Sequence, residues 1–358
     1  MATLEKRDMN HQISQIFPMQ PQNIVCPFAD EPSNHKIGIH SQQERRYKCH
    51  TCNRTFSENI GTPLYGLKTP QWVVILVMTL LAYGCPIQAI VMAFGLDERT
   101  VSSWHLKAGQ HGKLVQKKWV CQGKLIMSQI QGDELYAKTQ HGAVWIATAI
   151  DVFSRLFIWG EVSIERKSYL IEKVVKQARL SLKPDQGNIL WVTDGFKAWA
   201  SMINKQFRKP VYTGKQGRPR LVLPEAIQIA QVIKRRVEKR IVEIERRLLH
   251  GDWSIVNDII QRTQIDSGKV NTAYVERLNA TFRGWIPALT RRSRTPSNRR
   301  KNMEAALFWT GVNYNFCREH ASLGGSPAMA VGLTEHLWSV RDLLFCFRFK
   351  EISLHGIV

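Results

Sequence analysis

The sequence predicts a multidomain α/β protein: a mixed five-stranded sheet with flanking helices, preceded by a small Cys- and His-rich module and an all-α segment. Three observations predict it. Residues 124–162 alternate apolar and polar positions in three runs separated by tight turns, one of them Gln140-His141-Gly142, which is the pattern of an antiparallel meander. Helical and strand-like runs then take turns between residues 163 and 212. Ahead of both, residues 69–96 carry no charge but are broken by Gly84-Cys85-Pro86, so they read as two short helices and not as one membrane span.

The elements follow in chain order. Residues 1–25 form a polar tail without the apolar core of a signal peptide. Residues 26–60 make the small module. Of seven cysteines in the chain only Cys49 and Cys52 form a tight pair, which points to metal binding in a reducing compartment and not to disulfides. The expected location is therefore the cytoplasm, at the nucleoid in a prokaryote. Residues 61–118 open on a linker with Gly61, Pro63, Gly66 and Pro70, and continue as helices over 71–83, 86–95 and 98–108. Pro86 suits a first helical position, and Asp97 suits the cap of the third helix. A helix, a short Gly turn and a polar-faced helix outline a helix-turn-helix. Its last helix would offer Arg99, Ser102, Ser103 and His105 to DNA, an ordinary three-helix bundle being the alternative.

Residues 119–330 hold the sheet, and 331–358 form an extension. Strands are expected over 125–138, 144–151 and 156–162. A helix should run from about 163 to 180, then an apolar strand over 188–193, a helix over 197–207 and a short strand at 210–212. Residues 213–265 read as an insertion. They begin with a basic loop that offers Lys215, Arg218 and Arg220 to DNA; its Gly217-Arg218-Pro219 core is either a plain basic turn or similar to a minor-groove hook. Residues 227–249 fit a basic hairpin better than a basic helix, and Asp252 caps a helix to about 263. Two more helices are expected over 272–283 and 299–318.

Composition narrows the partners. Fifty Lys and Arg against twenty-nine Asp and Glu leave a net charge of +21 on 358 residues. Such an excess repels itself in the free protein and releases counterions when laid along a polyphosphate, so nucleic acid is the expected partner and a membrane is not.

Two carboxylates stand out because an apolar strand tolerates them only with a cation. Asp133 lies inside Gln131-Gly132-Asp133-Glu134-Leu135, and Asp194 ends Trp191-Val192-Thr193-Asp194-Gly195. On neighbouring strands they would face each other and repel, an arrangement that makes sense around Mg²⁺. The third carboxylate expected is Glu276. Helical spacing sets it on one face with Asn279, an amide, and Arg283, a cation suited to a DNA phosphate. Glu134 should point away from Asp133 as an exposed carboxylate, and Asp151 reads as a turn or structural residue.

These residues resemble the catalytic domain of Asp-Asp-Glu insertion-sequence transposases and retroviral-type integrases, which share an RNase H-like sheet. Those proteins carry Asp on the first strand, Asp after the fourth, and Glu on a later helix with a basic residue seven positions on. The run Tyr314-Asn315 … His320-Ala321-Ser322-Leu323-Gly324 … Pro327 is similar to the family's ending, and Arg46-Tyr47-Lys48-Cys49-His50-Thr51-Cys52 resembles a zinc-ribbon head. The resemblance spans roughly residues 26–338.

It implies strand cleavage at element ends and strand transfer into target DNA. It also implies two Mg²⁺ (or Mn²⁺) ions at Asp133, Asp194 and Glu276, and a homo-oligomer assembled on DNA. Zn²⁺ in the head would use Cys26, Cys49 and Cys52 with a fourth ligand from Glu31, His35, His40 or His50. Two departures stand. Glu276 follows Asp194 by 82 residues, and no second cysteine closely follows Cys26. An RNase H-like nuclease that does not join strands, or an inactive DNA-binding regulator, is the alternative.

Overall fold

The computed structural model describes residues 37–44, 46–212, 217–238, 240–264, 268–290 and 299–348. The described residues fall into two compact units, one within 37–70 and 345–348 and the other within 71–344.

In the smaller unit β1 (Ile37–Ser41), β2 (Arg46–Cys49) and β3 (Thr55–Ser57) form an antiparallel sheet in that order. Cys49 and Phe56 are its buried centre, with Ile37, Tyr47, Cys52 and Ile60 packed around them. Asn53 turns the chain with a positive φ of 55°, which lets the Cys49 amide donate to the Arg54 carbonyl at 2.9 Å. Cys26, Glu31 and His35 lie outside the described residues. Among the described ones no three Cys, His, Asp or Glu side chains converge in this unit, and His40 is exposed.

The larger unit starts with α1 (Gln71–Ala82), α2 (Ile87–Phe94) and α3 (Glu98–Val115). Gly95 ends α2 in the left-handed region, and the Asp97 carboxylate starts α3 by accepting from the Arg99 and Thr100 amides. The third helix runs seven residues past its expected end at 108. Gly109 and Gly112 do not break it. They let it lie against α8, which spans Arg300–Phe316: a Cβ on Gly109 would sit 2.3 Å from the Ala305 Cα. No helix among the described residues is long and apolar enough to cross a membrane.

The main sheet is mixed and has six strands, not five. Its antiparallel meander is β4 (Gln129–Thr139), β5 (Gly142–Asp151) and β6 (Phe157–Ser163). After α4 (Ser168–Ser181), β7 (Ile189–Asp194) joins parallel to β4. The strand expected at 210–212 is β8 (Lys209–Val211), which pairs only with β9 (Arg220–Val222) in a separate ribbon. Its three residues are exposed and Pro210 has no amide to donate.

The place beside β7 goes to β10 (Ile227–Val237), whose first six residues are buried as a central parallel strand requires. Thus the segment read as an insertion contains a core strand of the sheet. Its true addition is β11 (Arg240–His250), antiparallel to β10 and forming the expected basic hairpin with it. The order is β11-β10-β7-β4-β5-β6.

Helices cover both faces. On one, α5 (Lys197–Phe207) lays Trp199 over Gly132, where a Cβ would lie 2.5 Å from the indole, and α4 packs on β5 and β6. On the other, α6 (Trp253–Thr263) buries Val256, Ile259 and Ile260 against Leu190, Val192, Ala230 and Val232. Beside it, α7 (Ala273–Trp285) buries Val275, Leu278 and Phe282 against Leu135, Ile146 and Phe157.

Candidate active site

Backbone register brings the two aspartates together. The parallel pair β4–β7 runs from Gln129 opposite Leu190 to Gly132 opposite Thr193. The next residue on each strand is Asp133 and Asp194, at the end of the pairing where the backbones part. Asp133 shares the face of Leu135, and Asp194 that of Val192, so both point to the α6–α7 side.

Asp133 is half-buried, and its carboxylate accepts from Asn279 Nδ2 at 2.9 Å. Asn279 is 1% exposed, and its Oδ1 accepts from Thr148 Oγ1 at 2.9 Å, which fixes the orientation of the amide. Burial raises the Asp133 pKa most; Asp194 and Glu276 raise it further, against hydrogen bonds from the Glu134 backbone and Asn279. Asp194 accepts from the Phe196 amide at 3.0 Å and keeps an exposed edge.

Asn279 was expected to touch DNA. Its side chain instead belongs to the buried stripe of α7 and is used up on Asp133 and Thr148.

Glu276 lies in the first turn of α7, on the flank open to solvent. It accepts from Thr272 Oγ1 at 2.7 Å and forms an ion pair with Lys234 of β10. Its charge reaches Asp133, but the tightest acidic group is a different trio. Ligand atoms of Asp133, Glu134 and Asp194 lie within 4.8 Å of one another.

Glu134 corrects the sequence reading. It points to the face opposite Asp133, as strand alternation requires, but α5 covers that face, and the side chain is only 2% exposed. It accepts from Trp199 Nε1 at 2.5 Å and from Arg166 at 2.6 and 3.1 Å. Burial, opposed by Arg166, pushes its pKa up to about 7. Arg166 stacks over Phe196 with 4.1 Å to the ring centroid and lies 3.7 Å from Asp194, so one guanidinium joins both carboxylates. Neither residue was singled out for the site. The available signal was Gly132, whose missing side chain on the Glu134 face admits an indole.

The remaining expected residues scatter. Arg99, Ser102, Ser103 and His105 line a cleft of about 970 Å³ whose other walls include Trp285 and Ala305. Burial pushes the His105 pKa down to about 4, so it is neutral near pH 7 and brings no charge to a phosphate. Arg283 is half-buried on the Glu276 flank of α7. Arg218 and Arg220 are exposed at β9, and Lys215 lies outside the described residues. Asp151 is a structural residue: it is buried, accepts from the Ser154 amide and hydroxyl, and has a pKa raised to about 6 by burial.

No family model and no curated protein matches this sequence. Among solved structures, the chain is similar to one in the simian T-cell lymphotropic virus intasome in complex with PP2A regulatory subunit B56 gamma. There the identity is 10%, the TM-score 0.29, and the match covers 72% of this chain and 74% of the other. It is also similar to the piggyBac transposase in a synaptic complex with hairpin DNA, at 10% identity and TM-score 0.33, covering 85% of this chain and 74% of that one. Likenesses of this size carry no argument about the site.

Chemically, the site offers what a hard divalent cation needs: converging carboxylate oxygens whose repulsion the shared Arg166 guanidinium offsets only in part, where the two strands separate. Asp133 and Asp194 are placed by backbone pairing, so their spacing does not depend on a mobile loop. Glu276 acts on Asp133 through its charge, while its carboxylate is held by Lys234 and Thr272.

Proposed function

We propose that the chain is a DNA transposase that cleaves strands at element ends and joins them to target DNA by metal-dependent phosphoryl transfer. The observation that carries this reading is the β4–β7 register, which sets Asp133 beside Asp194 under a helix bearing Glu276. Asp133, Asp194 and Glu276 would hold Mg²⁺ or Mn²⁺, and two such ions would activate the attacking oxygen and stabilise the leaving one. Asn279 positions Asp133 through its 2.9 Å hydrogen bond, leaving the other carboxylate oxygen for a ligand. Lys234 neutralises Glu276 and must release or share it as the site fills. Arg283 holds the phosphate of the strand being cut, and Arg99, Ser102, Ser103, Arg218 and Arg220 are further DNA contacts. A homo-oligomer on DNA and a zinc site in the head at Cys26, Cys49 and Cys52 with a fourth ligand belong to the same reading.

The test is cleavage and strand transfer in Mg²⁺ with duplexes taken from the DNA flanking the coding sequence. Asp133→Asn, Asp194→Asn and Glu276→Gln should each abolish cleavage while DNA binding persists, because the amides keep shape and remove charge. Activity retained in any one variant removes that residue from the site. Cleavage without joining would make the protein a nuclease, and neither would make it a DNA-binding regulator.

A further inference from the structure

The α7 helix has two polar flanks beside its buried stripe. Glu276 and Arg283 occupy one. The other repeats at helical spacing as Tyr274, Arg277, Thr281 and Trp285. Two guanidiniums from elsewhere in the chain lie on this second flank. Arg155, from the β5–β6 turn, stacks on Tyr274 with 4.0 Å to the ring centroid, and Arg318, just past α8, stacks on Trp285 at 3.8 Å. Arg277 stands between the two aromatic rings. The Tyr314 hydroxyl and His320 feel all three cations, so the three form one group.

Arg155 is buried beside Asp151, which offsets part of its charge, and donates to the Val152 carbonyl. Arg277 and Arg318 are exposed, and neither has an ion pair among the described residues. Grouped cations without counter-charges repel one another, and stacking on aromatic rings holds two of these three in place. From Tyr274 to Trp285 the flank is about 16 Å long at about 1.5 Å per residue. That is about half a turn of B-DNA, or about five phosphates of one strand.

We infer that Arg277 and Arg318, with Arg155 anchoring the end of the row, form a second DNA-backbone track on the flank of α7 that faces away from Glu276. It binds phosphates of a duplex segment other than the one at the carboxylates. The inference deepens the proposed function by giving the enzyme a separate hold on flanking or target DNA. It specifies no base sequence, because every partner on the track is a phosphate.

The test is equilibrium binding of a random-sequence duplex of about 30 base pairs, followed by fluorescence anisotropy in EDTA across a salt series. No cleavage takes place under these conditions, so the outcome is independent of whether the carboxylates are catalytic. Each phosphate contact contributes about 0.9 to the slope of log affinity against log salt. The double variant Arg277→Ala/Arg318→Ala should therefore flatten the slope by about 1.8, and Arg277→Ala alone, which leaves the Trp285 stack intact, by about 0.9. Arg277→Lys/Arg318→Lys should restore most of it. Lys176→Ala/Lys183→Ala removes the same charge from exposed positions outside the track and should change the slope by less than half as much. A slope for Arg277→Ala/Arg318→Ala equal to wild type, or reduced no more than in the lysine control, overturns the inference.

Discussion

Glu134→Gln isolates the electrostatic cost built into the carboxylate cluster. In the folded protein this carboxyl is shifted from 4.5 up to about 7, chiefly by burial under Trp199 and despite the Arg166 hydrogen bond. At about 1.4 kcal/mol per pH unit the difference amounts to about 3 kcal/mol of stability lost when the group ionises. The direction follows from proton counting. Below pH 4.5 both folded and unfolded chains hold the proton. Between 4.5 and about 7 only the folded chain still holds it, so the stabilising contribution falls as pH rises and is gone above the folded value.

Gln keeps the oxygen that faces Trp199 Nε1 and, like the protonated acid, carries no charge at any pH; its amide nitrogen cannot accept from Arg166, a loss common to both ends of the pH range. In EDTA the stability of the variant relative to wild type should therefore rise by about 2–3 kcal/mol between pH 4.5 and pH 8, read from urea denaturation at both pH values. Carboxyls outside the cluster cancel in the comparison. An equal difference at the two pH values, or one that shrinks toward pH 8, would refute the reasoning.

Two further outcomes follow from single contacts. Asn315 accepts from the Phe157 amide at 2.9 Å and donates to the Phe157 carbonyl at 2.8 Å, tying the end of α8 to β6. Asn315→Ala strands that buried amide and should cost about 2–4 kcal/mol in urea denaturation; a loss below about 1 kcal/mol would mean that water or a neighbour takes over. Arg283→Ala should slow strand joining and weaken end-DNA binding while Mn²⁺ affinity, followed by electron paramagnetic resonance, stays unchanged. Arg283→Lys should recover part of the loss, since charge returns without the two-pronged guanidinium. Full-rate joining by Arg283→Ala would leave Arg283 an ordinary surface arginine.

Local pattern was enough for much of the site. Alternation along 129–139 and the apolar run 189–194 placed Asp133 and Asp194 on strands, and helical spacing set Glu276 on α7 apart from Val275, Leu278 and Phe282. The β-branched residues mixed into basic 227–249 favoured a hairpin over a helix, since propensity is a property of the nearest few residues. Which neighbour covers a given face is not.

Strand alternation put Glu134 opposite Asp133, but only α5, admitted over Gly132, decided that this side was interior. Asn279 looked like a DNA contact until the sheet presented Asp133 and Thr148 to it. Gly109 and Gly112 lie beyond the helix end expected at 108, yet the helix continues through them because they are its contact surface for α8. The strand beside β7 is β10 and not 210–212, because burial on both faces depends on pairing with β7, across more than thirty intervening residues. Residue type and spacing determined which groups could act and which way each would point along its own element; long-range packing alone decided whether each met water, an indole or another carboxylate.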